Sequence, residues 1–199
     1  GSTRLRNLEA TGELFPTDHP QKNHFKTMNT KTLIIAEKPS VAADIAKALG
    51  GFARAGAKGA EYFERDDTII SSGIGHLVEI ECPPEHDPGF KLDKLPAIPP
   101  QFNLKPVQRT ASQLHLLKQL IQRQDVGTVV NACDAGREGE LIFRYIVMFC
   151  GCRKPMQRMW LQSMTAPAIK EAHAKMQPSQ KYDALFQAAQ CRSEADWLF

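Results

Sequence analysis

The sequence lacks four features that would each point to a particular class of protein. None of its apolar runs reaches the ~20 residues of a membrane-spanning helix, and no secretory signal is visible. Its five cysteines are an odd number and lack the paired spacing of a zinc site. The net charge of +3 permits a nucleic-acid partner but does not by itself indicate one. These absences predict a cytoplasmic chain with reduced thiols and no membrane segment.

The length of 199 residues suits one ordinary domain with further pieces at either end. Gly1 and Ser2 resemble the scar left by tag removal, and residues 3–30 are polar without a clear period. Met28 would serve as a natural start. We therefore expect residues 1–30 to be a poorly ordered tag or leader, followed by the folded part of the chain.

The dominant pattern is a strand followed by an acidic, glycine-rich turn and a helix, within residues 127–145. Residues 128–133 are largely apolar and β-branched, which is typical of a buried parallel strand. Asp134 stands where this strand ends. The apolar spacing of residues 141–150 predicts an amphipathic helix. Open α/β sheets bind their ligands at such a strand end, so the turn is the first candidate site.

Charged side chains crowd this turn, where Asp134, Arg137, Glu138 and Glu140 lie within seven positions. Two interpretations of Glu138 and Glu140 stay open. The helix dipole favours acids in a first turn even without a ligand. Alternatively, carboxylates beside the strand-end Asp134 suit a hard cation such as Mg²⁺, which takes oxygen ligands and keeps several waters.

A second strand, predicted at residues 32–36, also ends in an acid, Glu37. Pro39 suits the first turn of the following helix, which Gly50 and Gly51 end. The carboxyl ends of parallel strands share one edge of a sheet, so Glu37 and Asp134 are expected to converge there. For Glu37 alone, a solvent-facing acid on a loop is the alternative. The two acids together favour a shared site.

The rest of the chain completes an α/β pattern. Further strands are predicted at residues 62–65, 68–71, 76–80 and 158–161, and further helices at residues 111–124, 165–176 and 181–199. Residues 82–107 are rich in proline and charge, which predicts a long surface excursion rather than a central strand. His76, after Gly-Ile-Gly, is either a phosphate or metal ligand or, as is commoner for a lone histidine, a packed or capping residue.

Four sequence segments together with the acid turn resemble a known family. They are Ile-Ile-Ala-Glu-Lys-Pro-Ser at residues 34–40, Ser-Gly-Ile-Gly-His-Leu at 72–77, Trp-Leu-Gln-Ser-Met-Thr at 160–165 and Cys-Arg-Ser-Glu-Ala-Asp-Trp-Leu at 191–198. The chain from residue 31 to 199 resembles the toprim domain of bacterial type IA DNA topoisomerases, in particular the topoisomerase III branch. The resemblance implies a Rossmann-like toprim fold, with a mostly parallel central sheet and helices on both faces.

The resemblance also implies domain limits and metal ligands. Residues 31–178 correspond to the toprim domain, and residues 179–199 to the start of the next, helical domain, which lines the DNA groove. Glu37, Asp134 and Glu138 correspond to ligands of Mg²⁺, with Mn²⁺ as an alternative ion. The chain departs from the family at Gly136, where the second acid of an Asp-x-Asp pair is expected. We therefore expect Glu138 to supply part of the missing ligand charge.

Catalytic and DNA-binding roles are carried over in the same way. Glu37 corresponds to the general acid for the leaving 3′ oxygen. Lys38 corresponds to a lysine that contacts the scissile phosphate, and Arg137 to a basic residue of the acid motif. Both are expected to be catalytic and to bind DNA. Arg192 and Asp196 correspond to residues of the groove that holds single-stranded DNA.

The resemblance implies a monomer that breaks one DNA strand, passes another and reseals the break. The family's tyrosine nucleophile lies in a later domain, and Tyr62, Tyr145 and Tyr182 do not match it. We therefore expect these 199 residues alone neither to cleave nor to relax DNA. Two other functions are considered: a toprim nuclease or primase module, which Gly136 disfavours, and a receiver-like phosphate-responsive module, which would need a lysine on the late strand.

Overall fold

A seven-stranded sheet forms the centre of the molecule in a computed structural model that describes residues 30–87, 89 and 98–198. Its strands are β1 (Lys31–Ala36), β2 (Ala53–Ala57), β3 (Ala60–Glu64), β4 (Thr68–Ser72), β7 (Val126–Ala132), β8 (Met156–Arg158) and β9 (Gln177–Pro178). The strand order is β2-β3-β4-β1-β7-β8-β9. The four central strands, β4, β1, β7 and β8, pair in parallel, and the antiparallel pairs lie toward both edges. The predicted α/β class with a parallel centre is confirmed.

Helices cover both faces of this sheet, as predicted. They are α1 (Pro39–Leu49), α2 (Ala111–Gln122), α3 (Arg137–Phe149), α4 (Ala166–Ala174) and α5 (Asp183–Leu198). Leu33 and Ile35 of β1 face one core with α2, α3 and α5, whereas Ile34 and Ala36 face the other core with α1 and α4. Side chains alternate along a strand, so a continuous apolar run can serve both layers.

The helical segment after residue 178 packs against the first core. Ala189 of α5 is buried in that core, and Phe186 packs against its surface and edge-on to Tyr145 of α3. The division at residue 178 stays a prediction. The predicted leader, residues 1–30, lies outside the described residues except for Thr30. Within the part of the chain that the structure describes, no helix has both the length and the apolar character to cross a bilayer.

Three strands were not predicted: β2, β9 and one strand of a second, smaller sheet. β2 is composed of alanine, arginine and glycine, which carry a weak strand signal, and it forms only because β3 pairs with it. A separate two-stranded sheet joins β5 (Val78–Glu81) to β6 (Asn103–Pro106). The excursion predicted for residues 82–107 is therefore wrong at its end, because pairing with β5 orders residues 103–106. Residues 88 and 90–97 of that excursion lie outside the described residues.

The late strand differs from its predicted position at residues 158–161. β8 ends at Arg158, and Leu161 makes only an isolated bridge to Asp134. Met159 and Leu161 are nevertheless buried. Burial of alternate apolar residues produced the strand-like pattern, although the chain here no longer follows a continuous ladder.

An ion network lies at the amino-terminal ends of β1 and β7, opposite the strand ends that carry Glu37 and Asp134. Arg123 Nη2 lies 2.7 Å from Glu64 Oε1 and 2.7 Å from Asp125 Oδ2. Lys31 Nζ also lies 2.7 Å from Glu64 Oε1. The hydrogen bond from Arg123 holds the pKa values of Glu64 and Asp125 below their ordinary values. The network therefore ties β1, β3 and the segment before β7 together.

We expect this network to make the stability of the protein depend on acid pH. Because the folded pKa values of Glu64 and Asp125 are lowered, their contribution is fully present above about pH 5. It is lost as the pH falls below the ordinary values of 4.5 and 3.8 toward the lowered ones. Urea unfolding at a series of pH values should show a smaller acid loss for Arg123→Met than for the unsubstituted chain.

Lys175→Met is the matched control, because its partner Glu171 forms an exposed pair on α4. Exposed pairs contribute little to stability. Lys175 also lowers the pKa of Glu171, but the pair is exposed, so this control should depart from the pH dependence of the unsubstituted chain much less than Arg123→Met does. Identical acid sensitivity of the Arg123→Met and unsubstituted proteins would contradict the assignment.

Candidate metal and nucleic-acid site

Two acids follow adjacent parallel strands at the same edge of the sheet. Ala36, the last residue of β1, is paired with Ala132, the last residue of β7. Glu37 comes next after β1, and Asp134 comes two residues after β7. Glu37 is largely buried, whereas Asp134 is exposed. The structure therefore brings these predicted site residues to one edge, with one carboxylate set into the protein and one open to solvent.

The turn after β4 holds the backbone of Glu37 from the other side. Gly73 donates its N–H to Ala36 O at 2.8 Å, and Gly75 donates to Glu37 O at 3.2 Å. A Cβ atom on Gly73 would lie 3.2 Å from Glu37 O and 3.1 Å from Gly75 O, so the turn has little room for a side chain. Gly75 adopts φ 75°, which favours glycine. The glycine-rich turn thus fixes the strand end that presents Glu37.

Two helices begin at this edge, directly after the acid-bearing segments. α1 begins at Pro39, and α3 begins at Arg137. Free N–H groups at a helix start favour anions such as phosphate. Lys38 Nζ lies 3.4 Å from Glu37 Oε1, yet the Lys38 side chain remains 58% exposed. The edge therefore combines carboxylates that suit a cation with a lysine and two helix starts that suit a phosphate.

A groove of about 540 Å³ opens beside the acid turn, between α3 and α5. Three of the four predicted DNA-binding residues, Arg137, Arg192 and Asp196, line it, together with His76 and Glu138. Arg192 Nε lies 3.5 Å from Asp196 Oδ2, and both side chains are largely exposed. The fourth residue, Lys38, stands at the strand edge and does not line this groove. The groove offers guanidinium groups to an anionic chain.

The side chain of Glu138 is engaged by His76. Its Oε1 contacts His76 Nε2, and its side chain is 65% exposed. Among residues 30–87, 89 and 98–198, no three histidine, cysteine, aspartate or glutamate side chains are grouped so as to hold a metal ion together. His76 is therefore a carboxylate partner at the groove, where the sequence had left packing, capping and ligand roles open.

The other glutamate of the turn, Glu140, is buried and was not assigned a site role from sequence. Its Oε2 accepts a hydrogen bond from Asn131 Nδ2 at 2.9 Å, and its Oε1 accepts one from Arg144 Nε at 2.8 Å. Arg158 Nε lies 3.3 Å from Glu140 Oε2. The sequence did contain a signal for this role: polar residues stand inside otherwise apolar strands, and such buried polar groups need partners. The helix-dipole interpretation does not account for this carboxylate.

The donor set at the strand edge fits a hard divalent cation. Mg²⁺ is commonly held by one or two carboxylates and completes its shell with water. Burial raises the pKa of the Cys133 thiol far above its ordinary value; Arg158 lowers this pKa, whereas Glu37 and Asp134 raise it. Two carboxylates that follow adjacent strand ends would favour a cation there.

The three tyrosines of the chain, all within the described residues, do not line the groove. Tyr145 is buried in the first core, and Tyr182 stacks on Trp160 with 5.3 Å between ring centroids. Tyr62 lies in β3, distant in the sheet order from β7 and β8. That the nucleophile of a strand-cleavage reaction is not among them stays a prediction.

The chain was compared with family models and with known proteins, and similar ones were found. A family model described as "Toprim domain" matches residues 32–164. The DNA topoisomerase 3 of Shouchella clausii (strain KSM-K16) is 43% identical over 171 residues, which cover 84% of this chain and 23% of that protein. The DNA topoisomerase 3 of Bacillus subtilis (strain 168) is 39% identical over 172 residues, covering 85% of this chain and 23% of that protein.

Among solved structures, full-length topoisomerase I from Thermotoga maritima is similar with a TM-score of 0.46 and 18% identity. The match covers 73% of this chain and 21% of that one. The chain thus spans 23% of the length of the curated relatives that it matches.

Proposed function

The chain belongs to the Toprim domain family, and on that premise we propose that it is the metal-binding part of a type IA DNA topoisomerase of the topoisomerase 3 type. The observation that carries the proposal is the placement of Glu37 and Asp134 at one sheet edge beside a groove lined by Arg137 and Arg192. Relatives about 40% identical to this chain bear the name DNA topoisomerase 3, which favours this function over a nuclease or primase module. The whole protein would break, pass and reseal single DNA strands.

The proposed metal site consists of Glu37 and Asp134 with water completing the coordination of Mg²⁺, or of Mn²⁺ in its place. When bound, the ion neutralises charge on the phosphate that is transferred. Glu138 joins this set only if it gives up its contact with His76. Two carboxylates suffice for a Mg²⁺ ion that keeps several waters. The glycine at position 136 is therefore compatible with one ion held at this edge.

The other site residues would act on the DNA itself. Glu37 is set back from solvent at the strand end, where in the metal-free state, rather than as a metal ligand, its carboxyl group could protonate a leaving 3′ oxygen. Lys38, exposed beside it, would place a positive charge at the scissile phosphate. Arg137 stands between the strand edge and the groove, while Arg192 and Asp196 extend the groove along α5. The bound DNA strand would run from the groove toward Glu37.

A receiver-like module agrees less well with the site. Such a module needs a lysine near the end of a late strand. The corresponding strand, β8, ends in Arg158, whose side chain is fully buried and points beneath the turn. A lysine does stand at these strand ends, Lys38, but it follows the first strand. The arrangement supports phosphate-directed chemistry with DNA rather than phosphorylation of a strand-end aspartate.

The metal assignment predicts that Asp134→Asn weakens Mn²⁺ binding by about tenfold or more, because the substitution removes one charged ligand. Titration of the 199-residue chain, followed by the electron paramagnetic resonance of free Mn²⁺, measures this. Glu171→Gln removes an exposed acid of α4 and serves as the charge-matched control. It should bind Mn²⁺ like the unsubstituted chain. Unchanged binding by Asp134→Asn would refute the site.

The groove assignment predicts weak, salt-sensitive binding of single-stranded DNA. Removing one side chain that binds a phosphate should reduce the slope of log affinity against log salt by about 0.7. Fluorescence anisotropy with a labelled oligonucleotide should show this reduction for Arg192→Gln. Lys47→Gln, in the last turn of α1 at the end away from the site, is the matched control. Equal slopes for Arg192→Gln and the control would argue against this groove.

A further inference from the structure

We propose that Arg158 is a positioning residue that holds Asp134 in place for metal binding. This inference rests on the proposed function, because it assumes that Asp134 is a metal ligand. Arg158 is the last residue of β8, and its side chain is fully buried. A buried arginine is costly unless acceptors and a counter-charge surround it, so its contacts indicate what it does. Nε lies 3.3 Å from Glu140 Oε2 but makes no hydrogen bond, so the bonds of the guanidinium come from Nη1 and Nη2.

The guanidinium binds the backbone that leads from β7 into the acid turn. Arg158 Nη1 donates to Cys133 O at 2.8 Å and to Asn131 O at 3.1 Å. Nη2 donates to Asp134 O at 2.7 Å. Asn131 Oδ1 accepts a further bond from Nη1 at 2.9 Å. These acceptors lie at the end of β7 and just beyond it, where the strand ladder stops.

The backbone of Asp134 is also enclosed by its other neighbours. A Cβ atom on Gly139, in the first turn of α3, would lie 2.9 Å from Asp134 N. Leu161 forms an isolated parallel bridge with Asp134. Arg158 thus adds hydrogen bonds to a stretch of backbone that Gly139 approaches closely and that Leu161 bridges. These contacts fix the position from which the exposed side chain of Asp134 projects.

An arginine suits this task better than a lysine. Its planar fork reaches several carbonyl oxygens at once, whereas an ammonium acts as a compact point charge. Glu140 supplies the compensating negative charge from α3, and Asn131 bridges Glu140 and Arg158. Residues that orient a metal ligand commonly change metal affinity by about 10- to 100-fold when they are replaced. A residue that only satisfies carbonyls would change stability alone.

The test is Mn²⁺ titration of Arg158→Lys, with Asp134→Asn measured beside it. Arg158→Lys keeps the charge opposite Glu140 but removes most of the fork. We expect it to weaken Mn²⁺ binding about tenfold, with its circular dichroism spectrum unchanged and affinities referred to the folded fraction. If Arg158→Lys binds Mn²⁺ like the unsubstituted chain while Asp134→Asn is weakened, Arg158 has no positioning role and only this inference fails.

A double variant, Arg158→Met with Glu140→Gln, decides the matter if Arg158→Lys does not fold. Removing both charges leaves no unpaired ion in the core, which cores tolerate better than a single removal. The same reduction of Mn²⁺ affinity is expected from this folded variant, and unchanged affinity would overturn the inference. If Asp134→Asn itself leaves Mn²⁺ binding unchanged, the proposed metal site and the inference fall together.

Discussion

Replacing Gly139 by alanine is expected to lower the free energy of unfolding by about 2 kcal/mol, although alanine is the better helix former by about 1 kcal/mol. The added Cβ would overlap the carbonyl oxygen of Asp134 and lie 2.9 Å from its nitrogen. Both are backbone atoms, held by Arg158 and by the bridge to Leu161, so they cannot yield as the end of a flexible side chain could. The helix must therefore shift away from the acid turn.

Gly136→Ala is the control for this substitution. A Cβ on Gly136 meets no atom within 4 Å, and its φ of 175° is extended backbone that any residue adopts. Urea unfolding should show a change within about 0.5 kcal/mol for Gly136→Ala. If Gly139→Ala were as stable as Gly136→Ala, the close approach of α3 to Asp134 would be refuted.

Glu140→Ala should destabilise the protein by about 3–5 kcal/mol, the cost of leaving one member of a buried ion pair alone. The substitution removes the carboxylate opposite Arg158 and leaves the guanidinium in the core without a counter-charge. It also removes acceptors for Asn131 Nδ2 and Arg144 Nε, which lie 2.9 Å and 2.8 Å from Glu140 oxygens. Arg144 keeps Asp183 as a partner, which limits the destabilisation on that side.

Glu138→Ala, two positions earlier on the same helix, makes the matched comparison. Its side chain is 65% exposed, against 1% for Glu140, and its contact is with the half-exposed His76. Chemical unfolding should register a change within about 0.5 kcal/mol for this variant. Similar destabilisation by the two substitutions would mean that Glu140 is not the buried anion of the cluster.

Several parts of the fold followed from local pattern. The continuous apolar runs of β1 and β7 indicated strands covered on both faces, and the structure places them side by side. Pro39 and the Gly50-Gly51 pair correctly bounded α1. The weak strands did not follow in this way. β2 and β6 contain few strand-forming residues, and each exists through the partner that pairs with it.

The candidate site, like the fold, was predicted from the sequence only in part. From sequence, two acids at strand ends indicated a shared edge, because strand direction alone brings such positions together. Which of Glu138 and Glu140 is buried could not be derived from the sequence. Residues two positions apart on a helix point in nearly opposite directions, about 200° apart. Which direction faces the core depends on how α3 lies on the sheet. Arg158, the partner of Glu140, stands 18 positions later in the chain.

The sequence by itself determined the α/β class and the convergence of Glu37 and Asp134, because these depend on strand direction and apolar period, and its motifs indicated the family by resemblance. Only the tertiary structure decided that Glu140 is a buried anion, that Glu138 meets His76, and that Arg158 lies under Asp134. A charge in the core is stable only when distant segments bring its partners to within hydrogen-bonding distance. Such contacts arise from packing, which no local pattern of residues specifies.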